Sequence, residues 1–158
     1  MTFDTKAFRQ ALAAFPTGVA VIIANDGVYT SGITVNSFTS VSLDPPLVLW
    51  CLAKDSQRYD VFIKAPGFTV SILGTEHEEV SSRLARQGEH RLEGLPLHRT
   101  ELGVPALAEA LAVFECERHG AQDGGDHTIL LGRVLRFSRR AGAPLVFHGG
   151  RYGALSGI

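Results

Sequence analysis

Short apolar runs separated by turn-forming residues make up most of the chain. Runs at 18–24 and 28–33 flank Asn25-Asp26-Gly27, and because these residue types tolerate the positive φ of a tight reversal, the pattern predicts a β-hairpin. The run at 47–53 is wholly apolar and follows Pro45-Pro46, which disfavour a helix and predict a strand. Further strand-type runs cover 68–73, 106–119, 128–138 and 144–148, although 106–112 could equally be helical.

Helical patterns are fewer and shorter. Residues 4–15 place Phe8, Leu12 and Phe15 on one face and are followed by Pro16, which predicts a helix capped at position 4 or 5. A second, short helix is expected from a cap at position 55 or 56 to position 65, before Pro66-Gly67. Residues 76–87 predict a third, with acidic residues early and arginines late, as the helix dipole favours.

The order of these elements indicates the fold class. About seven strands with a few peripheral helices, and no regular β-α-β alternation, predict a mainly β protein built as an antiparallel barrel rather than a doubly wound sheet. A chain of 158 residues has the length of one domain, so we expect residues 1–158 to form a single unit. Residues 88–105 are rich in Gly, Pro, His and charge and predict a long surface excursion.

Charge and composition remove several classes of partner. A net charge of −1 gives no reason to expect nucleic acid or an anionic membrane. The apolar runs are far shorter than the ~20 residues of a spanning helix, and the first ten residues carry no secretory pattern. Cys51 and Cys116 lie in apolar contexts without CxxC spacing, which favours free thiols in a reducing cytoplasm over a disulfide.

One segment concentrates small polar side chains. The stretch GITVNSFTSVSLDPP (32–46), with Ser56 shortly after it, places hydroxyls and one amide around apolar runs with almost no charge. Such residues suit a wall where backbone N–H groups and short donors surround a polar ligand. Ordinary strand and turn hydroxyls are an equally good interpretation from composition alone.

Other routes to chemistry are not supported by motifs. The chain has no GxxxxGK[ST] and no GxGxxG after a strand, so neither a P-loop nor a Rossmann dinucleotide site is predicted. Its six histidines show no HExxH, no pair at i,i+4 and no cysteine partners nearby, so no metal site is expected. A GxSxG elbow is also absent.

Two later tracts are candidates for a second wall. In GGDHTILLGRV (124–134), glycines and Asp126 lead His127 into an apolar strand, which would hold the imidazole at a cavity rim. A solvated turn histidine is the commoner alternative. The tract PLVFHGGRYGAL (144–155) ends in a strand, a Gly-Gly turn and Tyr152; its plainer interpretation is a closing strand with an aromatic residue.

Together these segments resemble the flavin reductase family, the small reductase components of two-component flavin-dependent monooxygenases, which have an FMN-binding split-barrel fold. FPTGVAVI (15–22) is similar to the family's opening, and 32–46 is similar to its most diagnostic block. GDH at 125–127, followed by an apolar strand and GRV, and the late PL-x-F run complete the likeness. It covers nearly the whole chain, with 86–105 departing most.

The resemblance implies a set of site residues. The edge of the isoalloxazine would lie against Thr34, Val35, Asn36 and Ser37. The ribityl chain and phosphate of the flavin would be enclosed by Ser40, Val41, Ser42, Cys51, Leu52, Ala53 and Ser56. His127 and Tyr152 would face the nicotinamide, with His127 orienting it and stabilising negative charge on reduced flavin. Arg58 and Arg83 could add charge near the phosphate or could be surface residues.

The resemblance also implies a reaction and partners. Hydride would pass from NADH or NADPH to FMN or FAD, and reduced flavin would go to a separate monooxygenase. The chain would form a homodimer with flavin near the interface. Alternatives are a flavin-binding electron-transfer or storage protein of the same fold, a pyridoxamine-phosphate-oxidase-like enzyme, or a non-enzymatic barrel module.

Overall fold

The computed structural model describes residues 2–89 and 91–157. In this part of the chain the helices are α1 (Thr5–Leu12), α2 (Tyr59–Lys64) and α3 (Glu78–Ala85), with a 3-10 turn at Thr75–His77 immediately before α3. The strands are β1 (Thr17–Gly18), β2 (Ala20–Asn25), β3 (Thr30–Val35), β4 (Thr39–Leu43), β5 (Pro46–Ala53), β6 (Gly67–Ile72), β7 (Leu97–His98), β8 (Ala106–Leu107), β9 (Ala112–Gly124), β10 (His127–Arg139), β11 (Leu145–His148) and β12 (Arg151–Ala154).

A seven-stranded sheet, in the order β3-β2-β6-β9-β10-β5-β4, forms the barrel. All of its pairings are antiparallel. A three-stranded sheet, β1-β11-β12, and the pair β7-β8 lie beside it. The predicted class, a mainly β antiparallel split barrel with a few peripheral helices, is confirmed.

Strand β2 is the shared wall of two cores, which explains its almost continuous apolar sequence. Ile22 packs in one cluster with Trp50, and Ile23 packs in the other with Leu84 of α3; all four side chains are buried. Burying each such side chain contributes roughly 1.5–3 kcal/mol. Alternation along one strand therefore fixes the barrel on one side and α3 on the other.

Two helix predictions differ in detail from the structure. Helix α1 is capped as expected by Asp4, whose carboxylate accepts from the backbone N–H groups of Lys6 and Ala7, yet its apolar face is exposed. Helix α2 begins at Tyr59, because turns closed by the backbone N–H groups of Ser56 and Tyr59 precede it. The predicted cap at position 55 or 56 is therefore wrong, and Arg58 occupies the N-cap.

The segment from 88 to 112 also differs from expectation. The alternative helix at 106–112 does not form: β8 covers only Ala106–Leu107, and Glu109, at φ 59°, reverses the chain before β9. The predicted surface excursion is partly internal, since Thr100 and Val104 are buried. Among the helices of the described residues, none has the length and apolar character needed to cross a membrane.

Candidate functional site

Two adjoining cavities lie between the end of β3 and the end of α3. The first, of about 200 Å³, is lined by Val19, Thr34, Val35, Asn36, Ala85, Phe147 and Tyr152. The second, of about 310 Å³, is lined by Ile33, Thr34, Ala53, Asp55, Ser56, Gln57, Arg58, Ala85, Arg86 and Gln87. Because Thr34 and Ala85 line both, the two cavities adjoin, and we call the pair the cleft.

The walls of the first cavity are joined through Ser81, a buried residue of α3. The Thr34 hydroxyl donates to the Ser81 carbonyl oxygen at 2.7 Å, and the hydroxyls of Ser81 and Tyr152 are hydrogen-bonded at 2.7 Å. Val35 pairs with Ala20 at the last register position of β3. The chain leaves the sheet there, and the exposed Asn36 lines the cavity.

The second cavity carries the charge of the cleft. Arg58, Arg86 and Asp55 line it together with Ser56, so its charged lining residues carry a net charge of about +1. The Ser56 hydroxyl accepts from the Arg58 backbone N–H at 3.2 Å and retains its own hydrogen as a donor. Burial lowers the pKa of Arg58 from its ordinary value. A hydroxyl beside cationic groups suits a phosphate oxygen.

His127 lies at the start of β10, directly across from Ala53 of β5. Its Nδ1 lies 2.7 Å from a carboxylate oxygen of Asp126, and the side chain is 44% exposed. The hydrogen bond from His127 lowers the pKa of Asp126, so this carboxylate is ionised at neutral pH and can only accept. Nδ1 therefore carries the hydrogen, and Nε2 is the nitrogen left for other partners.

Some of the predicted site residues meet in this cleft. Thr34, Val35, Asn36 and Tyr152 share the first cavity, and Ala53 and Ser56 line the second. His127 neighbours Ala53 but lines neither cavity, so the fold of this chain does not bring it into a common cavity with Tyr152.

Others of the predicted set, Cys51 among them, line neither cavity. The Ser37 hydroxyl accepts from the backbone N–H of Cys51 at 2.9 Å, which joins the segment before β4 to β5. The Leu52 side chain is fully buried in the barrel core. Ser42 pairs with Leu47, six residues along β5 from Ala53, which corresponds to about 20 Å at the rise of a strand.

Ser40 and Val41 are exposed on the same outer strand, β4, where a bulge interrupts the pairing with β5. Neither residue, nor Ser42, lines the two cavities. Their role as flavin contacts stays a prediction.

Sequence reasoning missed several lining residues. Val19, Phe147 and Ala85 complete the first cavity. Phe147 lies in the 144–155 tract, but no local pattern indicates that its ring lies close to β3. Arg58 was left open as a surface residue and is 5% exposed. Arg83 instead donates to the carbonyl oxygens of Arg91 and Glu93 and lines neither cavity.

Comparisons with known proteins agree with this architecture. The flavin reductase like domain model matches residues 12–156. "FMN reductase (NADH) SmoA" of Agrobacterium fabrum is 46% identical over 97% of this chain and 87% of its own length. "Flavin-dependent monooxygenase, reductase subunit HsaB" of Rhodococcus jostii is 34% identical over 94% of this chain and 77% of its own.

A solved structure is similar over almost its entire length. The Streptomyces globisporus NADH:FAD oxidoreductase SgcE6, in complex with NAD and FAD fragments, superposes with a TM-score of 0.91 at 37% identity. The match covers 99% of this chain and 97% of that one. With the matched domain model and these identities, the chain belongs to the flavin reductase family.

Proposed function

We propose that this protein is an NADH-dependent flavin reductase that transfers hydride to FMN or FAD and supplies reduced flavin to a separate monooxygenase. The observation that carries the proposal is the pair of adjoining cavities, which share Thr34 and have the Asn36 amide on one side and Arg58 and Arg86 on the other. The relatives named as NADH-dependent FMN and FAD reductases, and as a monooxygenase reductase subunit, support it.

The residues present fit a flavin. The Asn36 amide offers both donors and an acceptor for ring carbonyls and nitrogens. The apolar lining from Val19, Val35 and Phe147 suits a planar ring system. At the other end, the Ser56 hydroxyl and two arginines suit the phosphate.

The chain's own residues would bind and orient rather than act as strong acids or bases. Bound flavin supplies the hydride-accepting chemistry. Thr34 and Tyr152 are fixed by their bonds to Ser81, so the first cavity is preorganised, and positioning of this kind lowers the barrier to transfer. His127, held by Asp126, would present Nε2 toward the nicotinamide side. Tyr152 would pack against the nicotinamide.

A steady-state and rapid-mixing assay tests the activity. With FMN or FAD present, the purified protein is expected to oxidise NADH, and NADPH is measured in parallel. Rapid loss of the flavin absorbance near its visible maximum on adding NADH supports reductase activity. Persistence of the yellow colour would instead favour a flavin carrier, and lack of any flavin affinity would refute both.

The role of His127 is tested separately. His127→Ala is expected to slow hydride transfer by about 10- to 100-fold, the range for one lost hydrogen bond to a charged group, with little change in thermal stability. His119→Ala is the matched control, because His119 is an exposed histidine of the neighbouring strand β9 that lines neither cavity. Equal transfer rates in both variants would remove His127 from the site.

We also propose a homodimer of single-domain chains in a reducing cytoplasm. The apolar side chains of α1 and its flanks are exposed on one subunit, with Phe8 48% and Leu12 57% accessible, and Leu43 of β4 is 95% accessible. Exposed apolar side chains grouped on one element, as on α1, are typical of an interface. The free thiols of Cys51 and Cys116 support a reducing compartment. Light scattering after size exclusion should give twice the mass of one chain, and a monomer would contradict the dimer.

A further inference from the structure

Arg58 is a deeply buried cation in the wall of the second cavity. Its side chain is 5% exposed, and the ion pairs found among the described residues do not include it. Burying a guanidinium is costly unless its N–H groups are satisfied. The position of Arg58 therefore requires strong compensating contacts.

Those contacts come from one short stretch of backbone. One terminal nitrogen of Arg58 donates to the Leu84 carbonyl oxygen at 3.3 Å, and the other donates to the Arg86 carbonyl oxygen at 3.0 Å and to that of Glu89. Helix α3 ends at Ala85, where carbonyl groups lose their intrahelical partners. A cation at a helix C-terminus also complements the dipole. Arg58 thus closes the end of α3 and the turn that follows.

The same stretch forms one side of the cleft. Ala85, Arg86 and Gln87 line the second cavity, and Ala85 also lines the first. All three are exposed, as are Gly88 and Glu89, so this turn gains little from burial of its own side chains. Its placement relative to Ser56 therefore depends on the guanidinium beneath it.

The hydrogen bonds of Arg58 also tie the two sides of the second cavity together. Its backbone N–H donates to the Ser56 hydroxyl, and its side chain holds the 84–89 backbone. Its Nε has no hydrogen-bond partner among the described residues. The Nε–H group is therefore not needed to hold the 84–89 backbone, which the two terminal nitrogens bind. One residue thus positions the hydroxyl and the opposite wall at once.

We propose that Arg58 is a positioning residue for flavin binding. By clamping the 84–89 backbone, it fixes the width of the second cavity and the place of Arg86, and it sets the affinity for the phosphate-bearing end of the flavin. This inference rests on the proposed function. It predicts that loss of Arg58 weakens flavin binding more than it affects the use of NADH.

Three variants separate this role from a general loss of structure. Arg58→Met removes the charge and the donors and keeps an unbranched stem. Arg58→Lys keeps the charge but lacks the planar fork that reaches several carbonyls. Arg83→Met is the matched control, since Arg83 makes the same kind of arginine-to-carbonyl bonds, to Arg91 and Glu93, and lines neither cavity.

The main measurement is the dissociation constant of FMN and of FAD by fluorescence titration without NADH. For Arg58→Met we expect an increase of about 10- to 100-fold, the range for lost bonds to a charged group, and a smaller increase for Arg58→Lys. Arg83→Met should stay within about twofold of the wild type. At saturating flavin, the KM for NADH should be unchanged in the variants, and amide exchange of residues 84–89 should accelerate only in the Arg58 variants.

The outcomes are distinguishable. If the wild-type protein binds neither FMN nor FAD, the proposed function fails. If the wild-type protein binds flavin and both Arg58 variants bind it with wild-type affinity, the positioning role is overturned. The same holds if Arg83→Met loses as much flavin affinity as Arg58→Met. Should Arg58→Met not fold, Arg58→Lys decides, and wild-type affinity in that variant refutes the proposal.

Discussion

Replacing Gly132 by alanine is a sharp test of how the barrel packs. Gly132 lies in β10, the strand that begins at His127, next to a register shift against β9. A Cβ built there would lie 2.5 Å from Cζ of Phe68 and 2.9 Å from Cβ of Cys116. Both neighbours are buried, so the methyl group would enter a filled part of the core.

The cost follows from these distances. Carbon atoms pack best at about 3.5–4.0 Å, so the added methyl group lies about 1 Å too close on two sides. The Cys116 Cβ is attached directly to the backbone of β9, and the Phe68 ring is held in the core beside Trp50. Overpacking of this kind typically costs about 1–3 kcal/mol. At about 2–4 °C per kcal/mol for a chain of this size, Tm should fall by about 2–12 °C.

Thermal unfolding of Gly132→Ala and of a matched control measures this effect. Gly120 lies in β9 opposite Leu131, and a Cβ there would have nothing within 4 Å. Gly120→Ala should therefore leave Tm within about 1 °C of the wild type or raise it slightly, because alanine restricts the unfolded chain. Equal melting temperatures for the two variants would refute the argument that close packing at Gly132 sets the difference.

Three further results are expected. Asp4→Ala should destabilise α1 by about 0.5–2 kcal/mol, because two capped N–H groups lose their acceptor; unchanged helix content by circular dichroism would contradict this. The half-buried Cys51 should be alkylated before Cys116, because burial raises the pKa of the Cys116 thiol to about 12. Mass spectrometry of native protein treated with iodoacetamide checks this order, and labelling of both cysteines at the same rate would contradict it. The carboxyl of Asp126 should titrate below its ordinary pKa of 3.8, because His127 donates to it. The stabilisation from this contact is then present above pH 3.8 and lost as pH falls through the lower folded-state value, and an NMR midpoint at or above 3.8 would contradict it.

Short sequence patterns predicted the elements whose stabilising contacts form between residues close together in the chain. The hairpin at Asn25-Asp26-Gly27 forms because backbone N–H groups bond to the side chains of Asn25 and Asp26. Strand β5 begins at Pro46, as the proline pair predicts. Helix α1, by contrast, ends at Leu12, three residues before the predicted end at position 15. The start of α2 could not be predicted in the same way, since it depends on which backbone N–H groups form hydrogen bonds in the turns before the helix.

The site was predictable only where residues near in sequence are also near in space. Thr34, Val35 and Asn36 line one wall as a continuous segment. Tyr152 was placed with them by the family resemblance, whereas Phe147 and Ala85 reach the same cavity through long-range packing that no local pattern encodes. The sequence left Arg58 open between a charge near the phosphate and a surface residue. Its burial could not be predicted, because the carbonyl oxygens that accept from its guanidinium lie 26 to 31 residues away in sequence.

Helix α3 emerges as the element on which both cavities depend. Near its middle, Ser81 bonds to Thr34 and to Tyr152; at its end, the carbonyl oxygen of Leu84 accepts from Arg58. Leu84 itself is fully buried against β2 in the second core, so the helix cannot shift without disturbing that core. The packing that buries one face of β2 thus also sets the separation of the cleft walls, and a substitution in α3 that moves the helix should change flavin affinity and thermal stability together.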